Sequence, residues 1–179
     1  MHTVTIRNGL DIPITGTPEQ RIGKSPPVRE VALVGDDYPG LKPTLLVKEG
    51  EPVRRGQPLF TDKNNPEVLF TAPAAGTVRA INRGPKRRFE SLVIAVDGEE
   101  AVEFSGASAD PTGQSPAALR SLLLASGLWS AFRTRPFGNI PKADARPSSL
   151  FITALDTEPL AADPQVILAR DPSLFHTGL

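Results

Sequence analysis

Four groups of residues in this chain are of types that can do chemistry. The first is Lys63, in Phe60-Thr-Asp-Lys-Asn-Asn-Pro66 just past a short apolar stretch. A lysine amine exposed at a hairpin tip can be acylated, and the acyl chain then becomes a tethered arm. Asn64-Asn65-Pro66 is expected to lengthen that turn, and the competing reading is an ordinary surface lysine. The second group is Arg83, Lys86, Arg87 and Arg88, beside Phe89. It offers docking on acidic lipid headgroups, at about 1 kcal/mol per charge near a membrane surface, or on a partner protein. The competing reading is a solvated hairpin tip. The third is Trp129-Ser-Ala-Phe-Arg-Thr-Arg-Pro-Phe137. Here Arg133 and Arg135 could hold a carbonyl or an anion against an apolar wall of Trp129, Phe132 and Phe137. A packing segment with salt-bridged arginines is the alternative. The fourth group is Asp156, Glu158 and Asp163, which follow an apolar run at a place where α/β folds bind ligands. The neighbouring prolines explain these acids equally well as turn formers.

The composition removes whole classes of function. The chain has 179 residues, with 20 Lys+Arg against 20 Asp+Glu, so its net charge of zero argues against nucleic-acid binding. There is no cysteine, which excludes a disulfide or a cysteine-ligated iron–sulfur cluster within this chain. The only histidines, His2 and His176, lie near opposite ends, and no metal site is assigned. No glycine-rich dinucleotide fingerprint, P-loop or Ser/His/Asp set occurs, so no catalytic residue is assigned. The N-terminus is too polar for a signal peptide, and no run approaches the roughly 20 apolar residues of a membrane span. These features read as a soluble cytoplasmic protein.

The elements that must position these residues are mostly short strands. Nineteen prolines interrupt nearly every segment. Val4–Arg7 reads as a strand and residues 11–15 as a further extended piece. Val28–Val34 is a strand leading into the turn-rich loop Gly35-Asp-Asp-Tyr-Pro-Gly40. Gly50 and Gly56, six residues apart, mark turns that need positive φ. Ala72-Pro-Ala-Ala-Gly76 opens another strand, and residues 82–88 form a hairpin tip. Leu92–Val96 is nearly all apolar and is expected to be buried on both faces. Val102–Phe104 is expected to close the sheet. After a small, polar stretch, Ser115-Pro116 starts a helix that ends at Gly127 and places Leu119, Leu122 and Leu123 on one face. Leu150–Leu155 reads as a buried strand opening a parallel α/β unit that stops before a second strand can pair. This suggests one piece of a longer protein.

The fold class is therefore α+β, mainly β. A barrel-sandwich hybrid domain of the lipoyl and biotinyl carrier type occupies residues 1–105. A linker follows over 106–147, with a helix over 115–126 and a short helical piece over 128–133. Residues 148–179 begin an α/β, Rossmann-like domain. A carrier module modified at Lys63 follows directly from the first of these domains, and is the alternative function.

Several motifs taken together resemble one family. They are Asn8-Gly-Leu-Asp-Ile-Pro-Ile-Thr-Gly16, Asp62–Pro66, Phe70-Thr-Ala-Pro-Ala-Ala-Gly76, Ala80–Gly84, Ser126–Trp129, Arg133–Phe137 and Thr153–Pro164. They are similar to the NqrA family, the NqrA subunits of sodium-translocating NADH:quinone oxidoreductases, along essentially the whole chain. The resemblance implies a peripheral subunit on the cytoplasmic face of the bacterial inner membrane. Its complex oxidises NADH, reduces ubiquinone and exports sodium, with flavins and iron–sulfur centres in partner subunits. It implies membrane association through those partners and a scaffold role with ubiquinone contact. More distant relatives, the C subunit of Rnf complexes and the flavin-binding subunit of complex I, cradle flavin and NADH on a glycine-rich loop. Gly127-Leu-Trp-Ser-Ala-Phe-Arg-Thr-Arg135 replaces that loop with bulky and charged residues, so no flavin, NADH or other cofactor is expected on this chain. The quinone-contact candidates are Tyr38, Gly40, Trp129, Phe132, Arg133, Arg135 and Phe137. The loop over residues 34–41 is expected to form one wall of an apolar groove.

Overall fold

The computed structural model describes residues 5, 9, 12, 14–108, 110, 112–153 and 158–178. The chain packs as two units, residues 27–146 and residues 1–26 with 147–179.

The larger unit is a two-sheet sandwich. Its strands are β1 Glu30–Val34, β2 Pro43–Leu45, β3 Pro52–Val53, β4 Pro58–Asp62, β5 Asn65–Thr71, β6 Gly76–Arg83 and β7 Phe89–Val96. One sheet runs β1-β7-β6-β3 and the other β2-β4-β5, and every strand pair is antiparallel. Between the sheets lie Leu59, Phe60, Val68, Phe70, Val78, Leu92 and Ile94, all almost fully buried. Phe60 stacks on Phe70 at 4.8 Å between ring centroids and meets Phe89 edge-on at 5.3 Å. Such offset and edge-on geometries suit the aromatic quadrupole.

The expected turns are present. Gly50 and Gly56 both have φ of 82°. Gly56 also faces the Phe104 ring, which a Cβ would approach to 3.1 Å. Helix α1, Pro116–Ala125, starts where expected, with the Ser115 hydroxyl accepting from the Ala118 N–H at 3.2 Å. It stops at Gly127, whose φ is 80°. A 3-10 turn, Leu128–Ala131, follows.

Three expectations need correction here. Strand β7 alternates instead of burying both faces: Leu92 and Ile94 are fully enclosed, whereas Val93, Ala95 and Val96 are half-buried. Only the inner face meets the second sheet. Val102–Phe104 forms no strand. One parallel bridge, Arg55 with Ala101, and the bond from Val102 N–H to Arg55 C=O tie it down. It meets β3–β4 at a turn, where no continuous ladder edge is available. Residues 150–153 form no strand, and Leu150, Phe151 and Ile152 are exposed at 63%, 86% and 58%. An apolar run becomes a strand only when another backbone completes its hydrogen bonds, and the described residues pair none with it.

The smaller unit holds α2, Pro164–Leu168, and α3, Pro172–Gly178. Asp163 caps α2 by accepting from the Gln165 N–H at 2.8 Å. The Gln20 side chain accepts from the Asp163 N–H at 2.7 Å and donates to the Ala161 carbonyl at 3.5 Å. The expected strand at Val4–Arg7 falls almost entirely outside the described residues, as does Asp156.

Candidate functional site

The larger unit carries a groove of 240 Å³. Its apolar lining comes from Tyr38, Leu41, Val68, Phe70 and Ile140. Asp62, Asn65 and Asn139 add polar edges, and Gly40 completes the loop wall with φ of 77°. Local turns set one wall, and a long-range side-chain contact sets the other. The loop after β1 makes a 3-10 turn over Gly35–Asp37 and then a Tyr38–Leu41 turn closed by a 3.1 Å bond. The turn sets Tyr38 edge-on against Phe70 at 4.9 Å. On the other side, Asn65 donates to the Pro141 carbonyl at 3.0 Å and accepts from the Ala143 N–H at 3.4 Å. One amide on β5 thereby pins the segment that contributes Ile140.

The Tyr38 hydroxyl is the group of chemical interest. Burial, the largest cause, together with the Asp37 carboxylate, holds the phenol above its ordinary pKa, against a smaller lowering by Arg133. The phenol stays protonated through neutral pH and is a hydrogen-bond donor there.

Of the seven quinone-contact candidates, the groove brings together Tyr38 and Gly40. Arg133 stands over the Tyr38 ring at 5.8 Å. Its guanidinium is occupied by backbone acceptors: the Ser130 carbonyl, Phe132 at 3.1 Å and Asp37 at 3.5 Å. Trp129 is 7% exposed and faces the core, with its indole N–H donating to the Pro141 carbonyl at 3.0 Å. Phe132 packs edge-on against it at 5.5 Å, and the Arg120 guanidinium covers it at 5.0 Å. Arg135 and Phe137 lie on a loop closed by Thr134 and Asn139, and Phe137 is 79% exposed. Neither lines the groove. Sequence reasoning misses Asp62, Asn65, Asn139 and Ile140 as groove residues. Asn65 reads as a turn former, and Ile140 is one apolar residue in a proline-rich loop.

The turn at Lys63 is shorter than expected. Asp62 pairs with Asn65, which leaves Lys63 and Asn64 as a two-residue connection, and Asn65 and Pro66 belong to β5. The Asp62 carboxylate closes it by accepting from the N–H groups of Asn64 and Lys42, both at 3.2 Å. Lys63 is exposed at the tip. Of the other candidates, Arg83 at the end of β6 and Lys86, Arg87 and Arg88 on the β6–β7 connection are all exposed. Asp163 is the helix cap described above, and the Glu158 carbonyl accepts from the Ala161 N–H.

Comparison with known proteins decides the lineage. The family model described as the NqrA N-terminal barrel-sandwich hybrid domain matches residues 4–97, and that of the NqrA second alpha/beta domain matches residues 114–179. The chain belongs to the NqrA family. Among its relatives is the corresponding subunit of the Na(+)-translocating NADH-quinone reductase of Pseudomonas aeruginosa strain UCBPP-PA14, 54% identical over 177 residues. That match covers 98% of this chain and 40% of the relative. The proteins of the same name from Yersinia pseudotuberculosis and Rhodopirellula baltica are 50% and 52% identical, over 98% and 97% of this chain. The chain thus spans about two-fifths of the relatives' length. The NqrA assignment accounts for the mainly β barrel-sandwich hybrid and for the α/β region after it. Among the described residues no helix is long and apolar enough to cross a membrane, and no cluster of His, Cys, Asp or Glu could hold a metal ion.

Proposed function

We propose that this chain works as part of the NqrA subunit in a Na+-translocating NADH:quinone reductase, as a scaffold that touches ubiquinone and carries no redox cofactor of its own. It is peripheral on the cytoplasmic face of the inner membrane and is held there by partner subunits that carry the flavins and iron–sulfur centres. The chain alone is not catalytic. The proposed division keeps residues 1–105 as the barrel-sandwich domain, 106–147 as the helical linker and 148–179 as the beginning of the α/β domain.

One observation carries the quinone contact: a protonated, half-buried Tyr38 on the edge of an apolar groove. A quinone carbonyl is a hydrogen-bond acceptor, and a phenol beside an apolar floor is a suitable donor for it. The groove is smaller than the roughly 300–1,000 Å³ of drug-sized sites. It suits a quinone ring and leaves the isoprenoid tail outside. A neutral hydrogen bond adds about 0.5–1.5 kcal/mol net, against the roughly 8.2 kcal/mol that micromolar affinity requires. This surface is therefore one wall of a site that other parts of the complex complete. In the assembled enzyme, Tyr38→Phe is expected to raise the KM for a short-tailed quinone about 2- to 10-fold, with flavin reduction by NADH unchanged. An unchanged KM, together with no crosslinking of a photoreactive quinone to residues 38–41 or 139–140, would rule the contact out.

The two-residue turn at Lys63 supports a second reading, a lipoyl- or biotinyl-type carrier. The tip presents the amine without the extra residues that would argue against it. Intact mass of the protein from its native host separates the two. An acyl increment mapped to Lys63 favours the carrier, and the unmodified mass dismisses it.

A further inference from the structure

The connection between β6 and β7 is built from unsuitable residues. Gly84 N–H donates to the Arg88 carbonyl at 2.8 Å, and Arg88 N–H donates to the Pro85 carbonyl at 3.2 Å. Lys86 and Arg87 lie at the centre of this turn, with φ of 56° and 60°. Two consecutive left-handed residues make the mirror-image turn for which Asn-Gly is the favoured pair. In lysine and arginine the Cβ works against that conformation. Backbone bonds, among them Arg87 N–H to the Gly84 carbonyl at 3.0 Å, close the turn, and among the described residues no ion pair of Lys86 or Arg87 adds to them. Both side chains are exposed. The Arg83 guanidinium donates to the Arg87 carbonyl at 3.3 Å, which keeps a third cation beside them. Arg88 is tied to Asp36. The chain holds a strained turn whose evident product is a narrow point of positive charge.

We propose that this point docks into an acidic recess on another protein. The inference rests on the reading of the chain as part of a multi-subunit complex, whose other subunits are the available partners. A protein fits better than a bilayer for two reasons. The tip has no large apolar side chain to enter lipid, since Phe89 is 6% exposed and faces the core. Its three available cations are concentrated on one turn, whereas a membrane surface rewards a broad polybasic patch. Guanidinium forks also match carboxylate pairs in a way that a diffuse charge layer does not exploit.

The test uses the full-length NqrA subunit recombined with the remaining subunits of its complex, purified without it. The double variant Lys86→Gln/Arg87→Gln keeps the strained turn and removes two charges. It is expected to bind about 10-fold more weakly at low salt, with the difference shrinking as ionic strength rises beyond about 0.1 M. The variant Lys86→Asn/Arg87→Gly removes the charges and the strain. It is expected to bind as weakly, yet to melt about 2 °C higher or more. Unchanged affinity in both variants overturns the proposal. A lower melting temperature in the Asn-Gly variant overturns its strain premise. If assembly is unaffected while binding to vesicles of phosphatidylserine and phosphatidylcholine is lost, the tip is a membrane contact and the protein partner is wrong. If the unsubstituted NqrA protein fails to bind the remaining subunits, the reading as a complex subunit fails, and this proposal fails with it.

Discussion

Replacing Gly76 by alanine is expected to cost this protein about 3 kcal/mol or more, enough to consume much of the stability of a single domain. Two effects add. Gly76 has φ of 153°, a region that L side chains rarely adopt, and holding a residue in such a region costs about 1–3 kcal/mol. A Cβ would also penetrate the Ala95 carbonyl oxygen and lie 2.9 Å from the Ala95 carbonyl carbon. That carbonyl cannot swing aside as a side chain would. Gly76 pairs with Val96 on one side and Val53 on the other, and the Asp97 N–H donates to the Ala75 carbonyl at 3.1 Å. Relief of the clash therefore breaks the ladder where β3, β6 and β7 meet. Denaturant unfolding followed by the emission of Trp129, the only tryptophan, measures the loss in the larger unit. A midpoint like that of the unsubstituted chain would show that the strands part without cost and that the pairing at Gly76 is not required.

Gly76 also shows what kind of information the sequence held. Local rules suffice where a backbone conformation is tied to one residue type. Gly50 and Gly56 declared their positive φ, and Ser115-Pro116 and Gly127 declared the start and the end of α1. Patterns whose meaning depends on a distant partner were less legible. Leu92–Val96 is apolar throughout, and apolarity alone does not say that a second sheet covers only the face of Leu92 and Ile94. Leu150–Ile152 has the composition of a buried strand, but the chain supplies nothing described that pairs with it.

The candidate groove divides in the same way. Tyr38 and Gly40 belong to a loop whose turn residues are conspicuous, and they line it. Asn65 and Ile140 are 75 residues apart and meet because the Asn65 side chain binds the backbone at Pro141 and Ala143. No local signal carries that contact. The same long-range packing accounts for Trp129. An aromatic among arginines suggests a ligand wall, yet its ring is covered by Arg120 and Phe132 and its N–H is satisfied inside. The two-residue turn at Lys63 depended on whether Asn65 paired across the hairpin, and proline at the next position obscured that pairing.

Trp129 therefore makes the second large prediction, a structural one. Trp129→Ala is expected to destabilise the larger unit by about 3–5 kcal/mol, the range for a buried aromatic truncated to alanine. Helix α1 has no fully buried residue of its own. Its Leu123 and Leu124 are only partly buried against the core that contains Trp129. The following segment is fixed through Pro141, whose carbonyl accepts from both Trp129 and Asn65 at 3.0 Å. Without the indole, the stretch from α1 to residue 143 keeps few apolar anchors, and it opens before the sheets do. Trypsin cleavage after Arg120 and Arg133 should accelerate, with circular dichroism replacing the lost fluorescence as the measure of stability. Trp129→Phe separates packing from hydrogen bonding. The Pro141 carbonyl still has Asn65 as its donor, so the loss should fall to about 0.5–1.5 kcal/mol. Since Ile140 sits beside Pro141 and lines the groove, the alanine variant should also lose the quinone crosslink near Tyr38 that the phenylalanine variant retains. If the alanine variant resists trypsin at the rate of the parent chain, β5 and Asn65 alone hold the segment, and Trp129 is not its anchor.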